Sequence, residues 1–382
     1  MQIKKKIPLF VKVILIISSL VISSSCKNKK EEITSWSAAM SRPCYYVTDG
    51  PHIYYFSKGK LISGTETLTD IGGFGWAYAD AARNNGEMAV FPDSVVVDYG
   101  GLNNKLQTCT YHGGMSLPQK QIEKLFKQGY FKDGIKEKFN YITTGMPPGG
   151  RICTWVDHIE IKRGIVEQKD IYLNHPVIFS NDIKNDSIEI NNYLKNHPID
   201  YSIWDKPDPR YDLGFGFCNE DNNVAFFVMY CLSKEGIRNV ISNNEINFTK
   251  WNSPFGKKPN LNFYSGYQQL NDSSRNHKMC LPVDIQLRWK NKDKLLFDTH
   301  IVMLKDLPQR FAKSYINSET GKSTNFNRIV FGVEKDGQHC IIWLDGPGKQ
   351  EKIMRFKGQL ALKNDKGDYL KQVSYATEIQ YY

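Results

Sequence analysis

The stretch FPDSVVVDYGGLNNKLQTCTYHGGMSLPQ, residues 91–119, is the most informative part of the chain for the fold, because each of its parts predicts one structural element. SVVVDY alternates apolar and polar residues with a period of two, which is typical of a half-buried strand. GLNNK is a polar turn, so the next strand is expected to return as a hairpin. SLPQKQIEKLF then predicts a short helix with a capping box of Ser116 and Gln119 and with Pro118 in its first turn.

The same pattern returns later in the chain. LPVDIQLRWKNKDKLLFDTHIVMLKDLPQ, residues 281–309, aligns with the first stretch without gaps at a constant offset of 190. FNYITTG (139–145) and TWVD (154–157) are likewise matched by FNRIVFG (326–332) and IWLDG (342–346). The matching positions are those that strands, turns and a short helix require, so we infer two homologous domains in tandem.

The fold expected from these patterns is mainly β (α+β), with two tandem β-sheet or sandwich domains that each carry one short helix, after a lipoprotein signal peptide. The first repeat domain is predicted at 36–180 and the second at 181–382. Aromatic residues make up 13% of the chain, which favours strands because rings pack well on a pleated surface.

GMPPGGRICTW, residues 145–155, concentrates glycine and proline between two predicted strands. A phosphate-binding loop of the Walker type needs G-x-x-x-x-G-K-[ST] and leads into a helix. Here Arg151 stands where the lysine would be, and an apolar strand follows. The second copy, GVEKDGQHCIIW, keeps only a glycine before the turn, a glycine within it and the strand that ends at Trp343. The stretch is therefore predicted to be a hairpin turn.

The segments LPQKQIEKLF and GMPPGGRICTWV, behind a lipoprotein signal, resemble the uncharacterised bacterial lipoprotein family catalogued as domain of unknown function 2931. The first copy is more similar to this family than the second, whose GVEKDGQHCIIWL lacks the prolines. The resemblance implies that the family's domain is present as a tandem duplication. It implies no activity, cofactor or catalytic residue, because none is known for the family.

The N-terminus, MQIKKKIPLFVKVILIISSLVISSSC, has the basic start, short apolar core and small residues of a secretory signal, so residues 1–25 are predicted to be a signal peptide. A cysteine directly after small residues resembles a bacterial lipobox, which implies lipidation of Cys26. The alternative is a plain signal peptide or an uncleaved anchor. Residues 26–35 are expected to be a polar tether. Lys27, in place of the aspartate linked to inner-membrane retention, favours the outer membrane, on a face that the sequence leaves open.

Charge and cysteine content exclude some classes of function. The formal net charge is +10, and four of the lysines precede Cys26, which leaves +6 on the expected mature chain. The remaining basic residues are scattered without interleaved aromatics, so no nucleic-acid partner is expected. The seven other cysteines are an odd number without C-x-x-C spacing, so most are expected to be small buried residues, and disulfides stay open.

The chemistry-bearing residues predict no catalytic, cofactor-binding or metal site. The eight histidines are dispersed, without an H-E-x-x-H motif or a Cys/His cluster. No G-x-S-x-G nucleophile elbow is present, and Cys109 with His112 is better explained as a buried cysteine and a surface histidine. Asp157 and Asp345 occupy the same place in each copy, where an aspartate that begins a turn is favoured over a pair of catalytic acids.

GGFGWAYAD, residues 72–80, places Phe74, Trp76 and Tyr78 on one face of a predicted strand. Such a row is typical of a core strand, and also of a platform that stacks sugars or contacts a partner. Trp76 and Tyr78 are therefore kept, together with Asp157, as a candidate ligand or partner surface.

The sequence as a whole predicts a membrane-anchored envelope lipoprotein that is not an enzyme. The expected role is a binding or protective (immunity-like) module with a protein partner in the envelope and the membrane as its second contact through the lipid. The alternative is a cell-surface protein that binds or processes carbohydrate, with a glycan as its ligand.

Overall fold

A computed structural model describes most of the chain after the N-terminal segment. The described residues are 35–46, 48–66, 75–77, 80–83, 89–102, 108–132, 134–157, 159–172, 183–219, 225–242, 246–247, 264–265, 278–317, 320–363, 367 and 374–382. The predicted signal peptide, Cys26 and all of the tether before Ser35 lie outside these residues. Trp36–Tyr382 form one compact unit.

The strands and helices follow one another in two similar series. The first series comprises β1 (Ser37–Ser41), β2 (Thr48–Ser57), β3 (Lys60–Glu66), β4 (Asp80–Arg83), β5 (Ser94–Leu102), β6 (Thr108–Ser116), α1 (Gln119–Gln128), β7 (Tyr130–Lys132), β8 (Ile135–Glu137), β9 (Tyr141–Gly145), β10 (Arg151–Val156), β11 (Ile159–Ile165) and β12 (Glu167–Tyr172). A connecting segment then contains α2 (Ile183–Asn196) and a 3₁₀ helix (Tyr201–Trp204).

The second series comprises β13 (Arg210–Asp212), β14 (Gly214–Asn219), β15 (Ala225–Ser233), β16 (Arg238–Ser242), β17 (Ile246–Asn247), β18 (Tyr264–Ser265), β19 (Lys278–Cys280), β20 (Pro282–Lys290), β21 (Leu296–Val302), α3 (Leu307–Ala312), β22 (Tyr315–Ile316), β23 (Ser323–Thr324), β24 (Arg328–Val333), β25 (His339–Gly346), β26 (Lys349–Lys357) and β27 (Thr377–Tyr381).

The first series forms a sandwich of two sheets, which confirms the mainly β prediction. Sheet A has the strand order β11-β10-β9-β1-β4 and sheet B the order β12-β6-β5-β2-β3. The core between them takes Ile142 and Ile152 from sheet A, Val97 and Tyr99 from sheet B, and Phe126 from α1. Alternation along SVVVDY supplies the sheet B residues, as the period of two predicts.

The second series forms a sandwich with matching connectivity. Sheet C has the order β18-β14-β24-β25-β26-β27 and sheet D the order β16-β15-β20-β21, with β17 also pairing with β15. In each sandwich the first strand of one sheet runs parallel to the strand after the helix, β1 with β9 and β14 with β24. The remaining pairings of β14, β15, β20, β21, β24, β25 and β26 follow those of β1, β2, β5, β6, β9, β10 and β11. Descent of the two halves from one duplicated domain stays a prediction.

The ungapped alignment of the two hairpins is wrong in its second strand. A constant offset of 190 places Val97 on Leu287 and Gly113 on Met303. The structure pairs Val97 with Gly113, but it pairs Leu287 with Thr299. The second hairpin is shorter than the first, with seven residue pairs instead of nine. A constant offset that aligns the first strands therefore misaligns the second strands.

The capping box predicted for α1 does not form. The helix begins at Gln119 after Pro118, and no side chain caps its first turn. The Gln119 side chain instead donates to the carbonyl of Phe91 at 2.6 Å, which ties the helix to the segment just before β5. Ile122 and Phe126 are buried as the helical period predicts.

The glycine-rich stretch is a hairpin turn, as predicted. β9 and β10 pair antiparallel, with Gly145 opposite Cys153. Gly149 and Gly150 have φ values of +80° and +73°, a backbone conformation that glycine adopts without strain. No helix in the described part of the chain is long and apolar enough to cross a bilayer.

Candidate functional site

Chemistry-bearing residues meet where the two sandwiches touch. An apolar group, called the interface cluster below, joins loops of the first sandwich, the connecting segment and one end of the second sandwich. Its buried members are Cys44, Tyr46, Trp76, Ala77, Cys153, Trp155, Ile190, Tyr193, Leu194, Ile203, Trp204, Leu232, Ile237 and Cys280. Because apolar burial is the main favourable term in association, this cluster makes the two sandwiches one body.

The turn between β15 and β16, residues 233–237, packs against loops of the first sandwich and is called the seated turn below. The Gly236 carbonyl accepts hydrogen bonds from the backbone N–H groups of Cys44, at 3.0 Å, and Trp76, at 3.2 Å. Gly75 forms a bridge with Ile237. A Cβ atom on Gly236 would lie 2.5 Å from Pro43, and one on Gly75 would lie 2.2 Å from the Gly236 carbonyl oxygen. Only glycines allow this close approach.

Arg163 is the charged centre beside this turn. Its guanidinium donates to Glu160 at 2.8 Å and to Glu235, within the turn, at 2.7 Å. It also donates to the Trp204 carbonyl at 2.8 Å. Burial would lower the pKa of Arg163, but hydrogen bonding to Glu160 and the charge of Glu235 outweigh it and raise the pKa. One arginine therefore links the first sandwich, the connecting segment and the second sandwich.

Two carboxyl groups near Arg163 carry raised pKa values. Burial raises the pKa of Glu235, although the charge of Arg163 opposes the shift. Burial, followed by the charge of Glu235, raises the pKa of Asp208 to about 6. The Asp208 backbone N–H donates to Glu235 at 3.3 Å, so the two carboxyl groups are held close together.

A second buried charged group lies under the connecting segment. Asp284 on β20 has its Oδ1 2.7 Å from Nδ1 of His300 on β21 and its Oδ2 3.1 Å from Nε2 of His197, just after α2. Burial alone would raise the pKa of Asp284, but the charges and hydrogen bonds of the two histidines outweigh it and hold the pKa at about 2. The carboxylate therefore joins sheet D to the end of α2.

Aromatic rings surround this Asp–His pair. Tyr193 stacks on His197 with ring centroids 4.4 Å apart and on Tyr45 at 4.5 Å. Tyr375 lies 5.7 Å from the ring of His300. Nε2 of His300 is buried and, among the described residues, has no hydrogen-bond partner. Burial, followed by the charge of Asp284, raises the pKa of Tyr375.

This arrangement orients charges rather than activating a nucleophile. Both imidazoles bind the same carboxylate. The side chains of Asp284 on β20 and His300 on β21 are almost completely buried. The nearby Cys231 thiol is buried, and burial, followed by the charge of Asp284, raises its pKa well above the usual range. A thiol held in its neutral form is a poor nucleophile.

Two groups of side chains have donor atoms close enough for a metal ion. They are Asp208, Glu235 and Cys280, and Glu334, Asp336 and His339. In each group an arginine already pairs with one carboxylate, Arg163 with Glu235 and Arg355 with Glu334. Each arginine already neutralises the carboxylate charge that would attract a metal ion, so we assign neither group to a metal.

Trp76 does not form the exposed platform that the sequence left open. Its side chain is only 1% exposed, and its ring packs edge-to-face on Trp155 with centroids 4.7 Å apart. A buried indole offers no exposed ring face to a ligand, and the backbone N–H of Trp76 is held by the Gly236 carbonyl. Tyr78 and Phe74 lie outside the described residues.

The two aspartates at matching places hold turns. Asp157 has φ of +47°, and its carboxylate accepts the backbone N–H groups of Tyr141, at 2.9 Å, and Asn140, at 3.2 Å. Asp345 is buried and pairs with Arg328 at 2.6 Å. Both are part of the scaffold, and Asp157 shares no surface with the buried Trp76.

The cysteine and histidine on β6 also match the simpler prediction. The Cys109 thiol is buried and donates to the Gly101 carbonyl at 3.5 Å. His112 is exposed beside Asp98 at 3.3 Å. The six cysteines whose side chains are described, Cys44, Cys109, Cys153, Cys231, Cys280 and Cys340, are all buried, as expected.

Sequence reasoning missed this group because His197 lies 87 positions before Asp284 and because Asp284 and His300 were not expected to be buried. The polar residues of DIQLRW were assigned to a solvent-facing side of a half-buried strand. Asp284 and Gln286 on that side are buried, since α2 and the loop with Tyr45 cover it. A signal was nevertheless present, because an aspartate and a histidine stand on the polar faces of two strands predicted to pair.

Comparison with known proteins finds one family model that matches the first part of the chain. The model described as "Protein of unknown function (DUF2931)" matches residues 23–202. The match covers the first sandwich, α2 and the beginning of the 3₁₀ helix, and it leaves the second sandwich outside. No curated protein and no solved structure matches the chain.

Proposed function

Because residues 23–202 belong to the DUF2931 family, whose description assigns no activity, we propose a function from the interface geometry and the N-terminal sequence. The protein is a lipoprotein of the cell envelope, held in the outer membrane through Cys26. It acts as a rigid, non-enzymatic binding or protective (immunity-like) module for a protein partner.

The seated turn at 233–237 is the observation that supports this proposal. It fixes two sandwiches as one body by two backbone hydrogen bonds to Gly236 and a buried ion pair of Glu235 with Arg163. A rigid pair of sandwiches presents loops from both in a constant arrangement, which lowers the entropy that binding must offset.

The buried ionisable groups support a binding role over catalysis. Asp284, His300 and His197 satisfy one another between sheet D and α2. Arg163 is shared among Glu160, Glu235 and a backbone carbonyl. Charges used in this way fix relative positions within the fold, and a general acid or base must instead reach a substrate.

The carbohydrate alternative loses the residue that favoured it, because Trp76 is buried in the interface cluster. No other observation on the described residues favours a sugar site. We therefore expect flat signals from the full-length protein on a glycan array.

The proposal is tested by isolating the protein from its own membrane. A C-terminally tagged full-length protein is crosslinked in cells, solubilised from envelopes in detergent and purified, with Cys26→Ala as the control that lacks the lipid site. We expect palmitate incorporation that depends on Cys26 and one partner in stoichiometric amount. Incorporation without any stoichiometric partner under several growth conditions would count against the binding role, and absent incorporation would refute the lipid anchor.

A further inference from the structure

We propose that the hairpin of β7 and β8, residues 130–137, contacts the surface of the lipid bilayer that holds the chain, with Phe131 and Ile135 as its apolar contacts. The inference rests on the proposed lipid anchor at Cys26 and adds a second, folded membrane contact to it.

The hairpin is a fixed projection that leaves apolar side chains in water. Phe131 is 67% exposed and Ile135 is 65% exposed. The neighbouring Tyr130 packs on Phe139 with ring centroids 5.1 Å apart, which attaches the hairpin to the sandwich. Gly129 has φ of +63°, and a Cβ atom there would lie 2.3 Å from the Glu137 carbonyl oxygen, so the base of the hairpin is tightly closed.

Phe131 and Ile135 lie close to the turn that connects β7 and β8, at the end of the hairpin opposite to its base. Phe131 pairs with Lys136, and Lys132 pairs with Ile135. Adjacent pairs place Phe131 and Ile135 on opposite faces, because side chains alternate along a strand. An approach by the tip brings both side chains to the same surface.

The tether enters the sandwich beside this hairpin. The backbone N–H of Ser37 donates to the Asn140 carbonyl at 2.9 Å, and Asn140 lies three residues after the end of β8. Trp36 fixes the entry point by donating its indole N–H to the Val90 carbonyl at 2.9 Å. Only nine residues lie between Cys26 and Trp36, so a lipid on Cys26 is attached no more than about 35 Å from Trp36 even when the tether is fully extended. The anchor therefore keeps this end of the first sandwich near the membrane.

The charge of the region suits an anionic bilayer surface. Between Lys120 and Lys138 the sequence has six lysines and three acids. Lysines near an anionic surface are attracted to it, and an aromatic ring is favourable at the level of the headgroups. Exposed apolar side chains beside lysines are the combination that an interfacial contact needs.

The second sandwich supplies a matched control. β22 and β23 form a hairpin at the corresponding place after α3, and Ile316 on it is 66% exposed. The strand beside β24 is β14, which is entered from the connecting segment rather than from the tether. Ile316 therefore has the exposure of Phe131 without its position next to the anchor.

The test uses photo-crosslinking in the lipidated, full-length protein. Benzoylphenylalanine replaces Phe131 in one variant and Ile316 in another, and each is reconstituted in vesicles of phosphatidylethanolamine with phosphatidylglycerol. Incorporation of labelled palmitate is measured on the same samples, and thermal unfolding checks that both variants keep the fold. We expect crosslinks to lipid from position 131, their loss at position 316, and a reduction at position 131 when phosphatidylglycerol is omitted.

The outcomes separate this inference from the proposed function. Palmitate incorporation with equal or absent lipid crosslinking at positions 131 and 316 overturns the hairpin contact and leaves the anchor intact. The variant at position 131 is also irradiated in cells before purification. A crosslink there to a protein instead of lipid also overturns the bilayer contact and assigns the hairpin to a protein partner. Absence of palmitate overturns both.

Discussion

Oδ1 of Asp284 and Nδ1 of His300 lie 2.7 Å apart on two strands of the second sandwich, and both side chains are almost completely buried. His197, from the end of the connecting segment, binds the other carboxylate oxygen at 3.1 Å. One buried carboxylate thereby connects β20, β21 and the residue that follows α2. Breaking such a contact leaves polar groups buried without partners.

Replacing Asp284 with asparagine is expected to destabilise the protein by about 3–5 kcal/mol at neutral pH, because two histidines then lose their buried anionic partner. Urea unfolding followed by fluorescence measures the change. Asp98→Asn is the matched control, since Asp98 faces His112 across β5 and β6 but is 53% exposed. Exposed ion pairs contribute less than about 1 kcal/mol, so equal losses in the two variants would contradict a stabilising role for the buried pair.

Acid should remove the contribution of Asp284. The pKa of this carboxyl is lowered from 3.8 to about 2 in the fold, so its ionised form stabilises the protein above the unfolded value of 3.8. This contribution is lost as the pH falls through about 2. The difference in unfolding free energy between wild type and Asp284→Asn should therefore shrink between these pH values. A difference that stays constant down to the acid transition would argue against the assignment.

Asp208→Asn is expected to stabilise the protein in mildly alkaline solution. The pKa of Asp208 is raised from 3.8 to about 6 by burial and by the charge of Glu235. Its protonated form therefore contributes to stability in full below pH 3.8, and this contribution is lost as the pH rises through about 6. At about pH 8 the neutral amide should gain about 1–2 kcal/mol over the ionised carboxylate, and the gain should vanish below about pH 4. Thermal unfolding at the two pH values measures it. Asp205→Asn, which removes a more exposed carboxylate that pairs with Arg151 at 3.1 Å, should show no such gain.

Gly236→Ala tests whether the seated turn couples the two sandwiches. Its φ is +83°, and the new methyl group would lie 2.5 Å from Pro43, so the turn must withdraw. Gly59→Ala is the control, because Gly59 has φ of +72° but no atom within 4 Å of the added Cβ. We expect a single transition and a loss of about 1–2 kcal/mol for Gly59→Ala, which is the cost of the left-handed backbone alone. Gly236→Ala should lose more and unfold in two transitions. Equal losses would contradict the coupling.

Trp76→Ala distinguishes a core tryptophan from a ligand platform. Removing a buried indole should cost about 3–5 kcal/mol of stability. Tyr381→Ala, at a 56% exposed aromatic residue on β27, should change stability little. Chemical unfolding of both variants decides the matter. Unchanged stability in Trp76→Ala would show that the indole does not support the interface cluster.

Much of the fold followed from local patterns. The period of two in SVVVDY predicted the buried Val95, Val97 and Tyr99, and the glycines of GMPPGG predicted the hairpin of β9 and β10. Where local signals competed, the predictions were wrong. The capping box at Ser116 did not form, because Ser116 ends β6 as the partner of Ser94 and the helix starts only after Pro118.

The signals for the interface were weaker, since burial of a polar strand face depends on what covers it. Asp98 on β5 and Asp284 on β20 both stand among alternating apolar residues. The first is exposed and the second is buried, because α2 and its neighbouring loops cover sheet D but not the outer face of sheet B at this position. No pattern within either strand encodes that difference.

Two β-rich halves with matching strand patterns, the hairpin at residues 145–155 and the resemblance of the first half to the DUF2931 family, whose model matches residues 23–202, all followed from the sequence. These properties depend on periodicity, turn chemistry and local similarity, which act over short stretches of chain. The folded structure was needed to find that Trp76 is buried in the core, that Glu235 pairs with Arg163 and that Asp284 pairs with two histidines. Those contacts join separate elements of the fold, 16 positions apart for Asp284 and His300 and 72 positions apart for Glu235 and Arg163, and their energies depend on the exclusion of water from the folded chain.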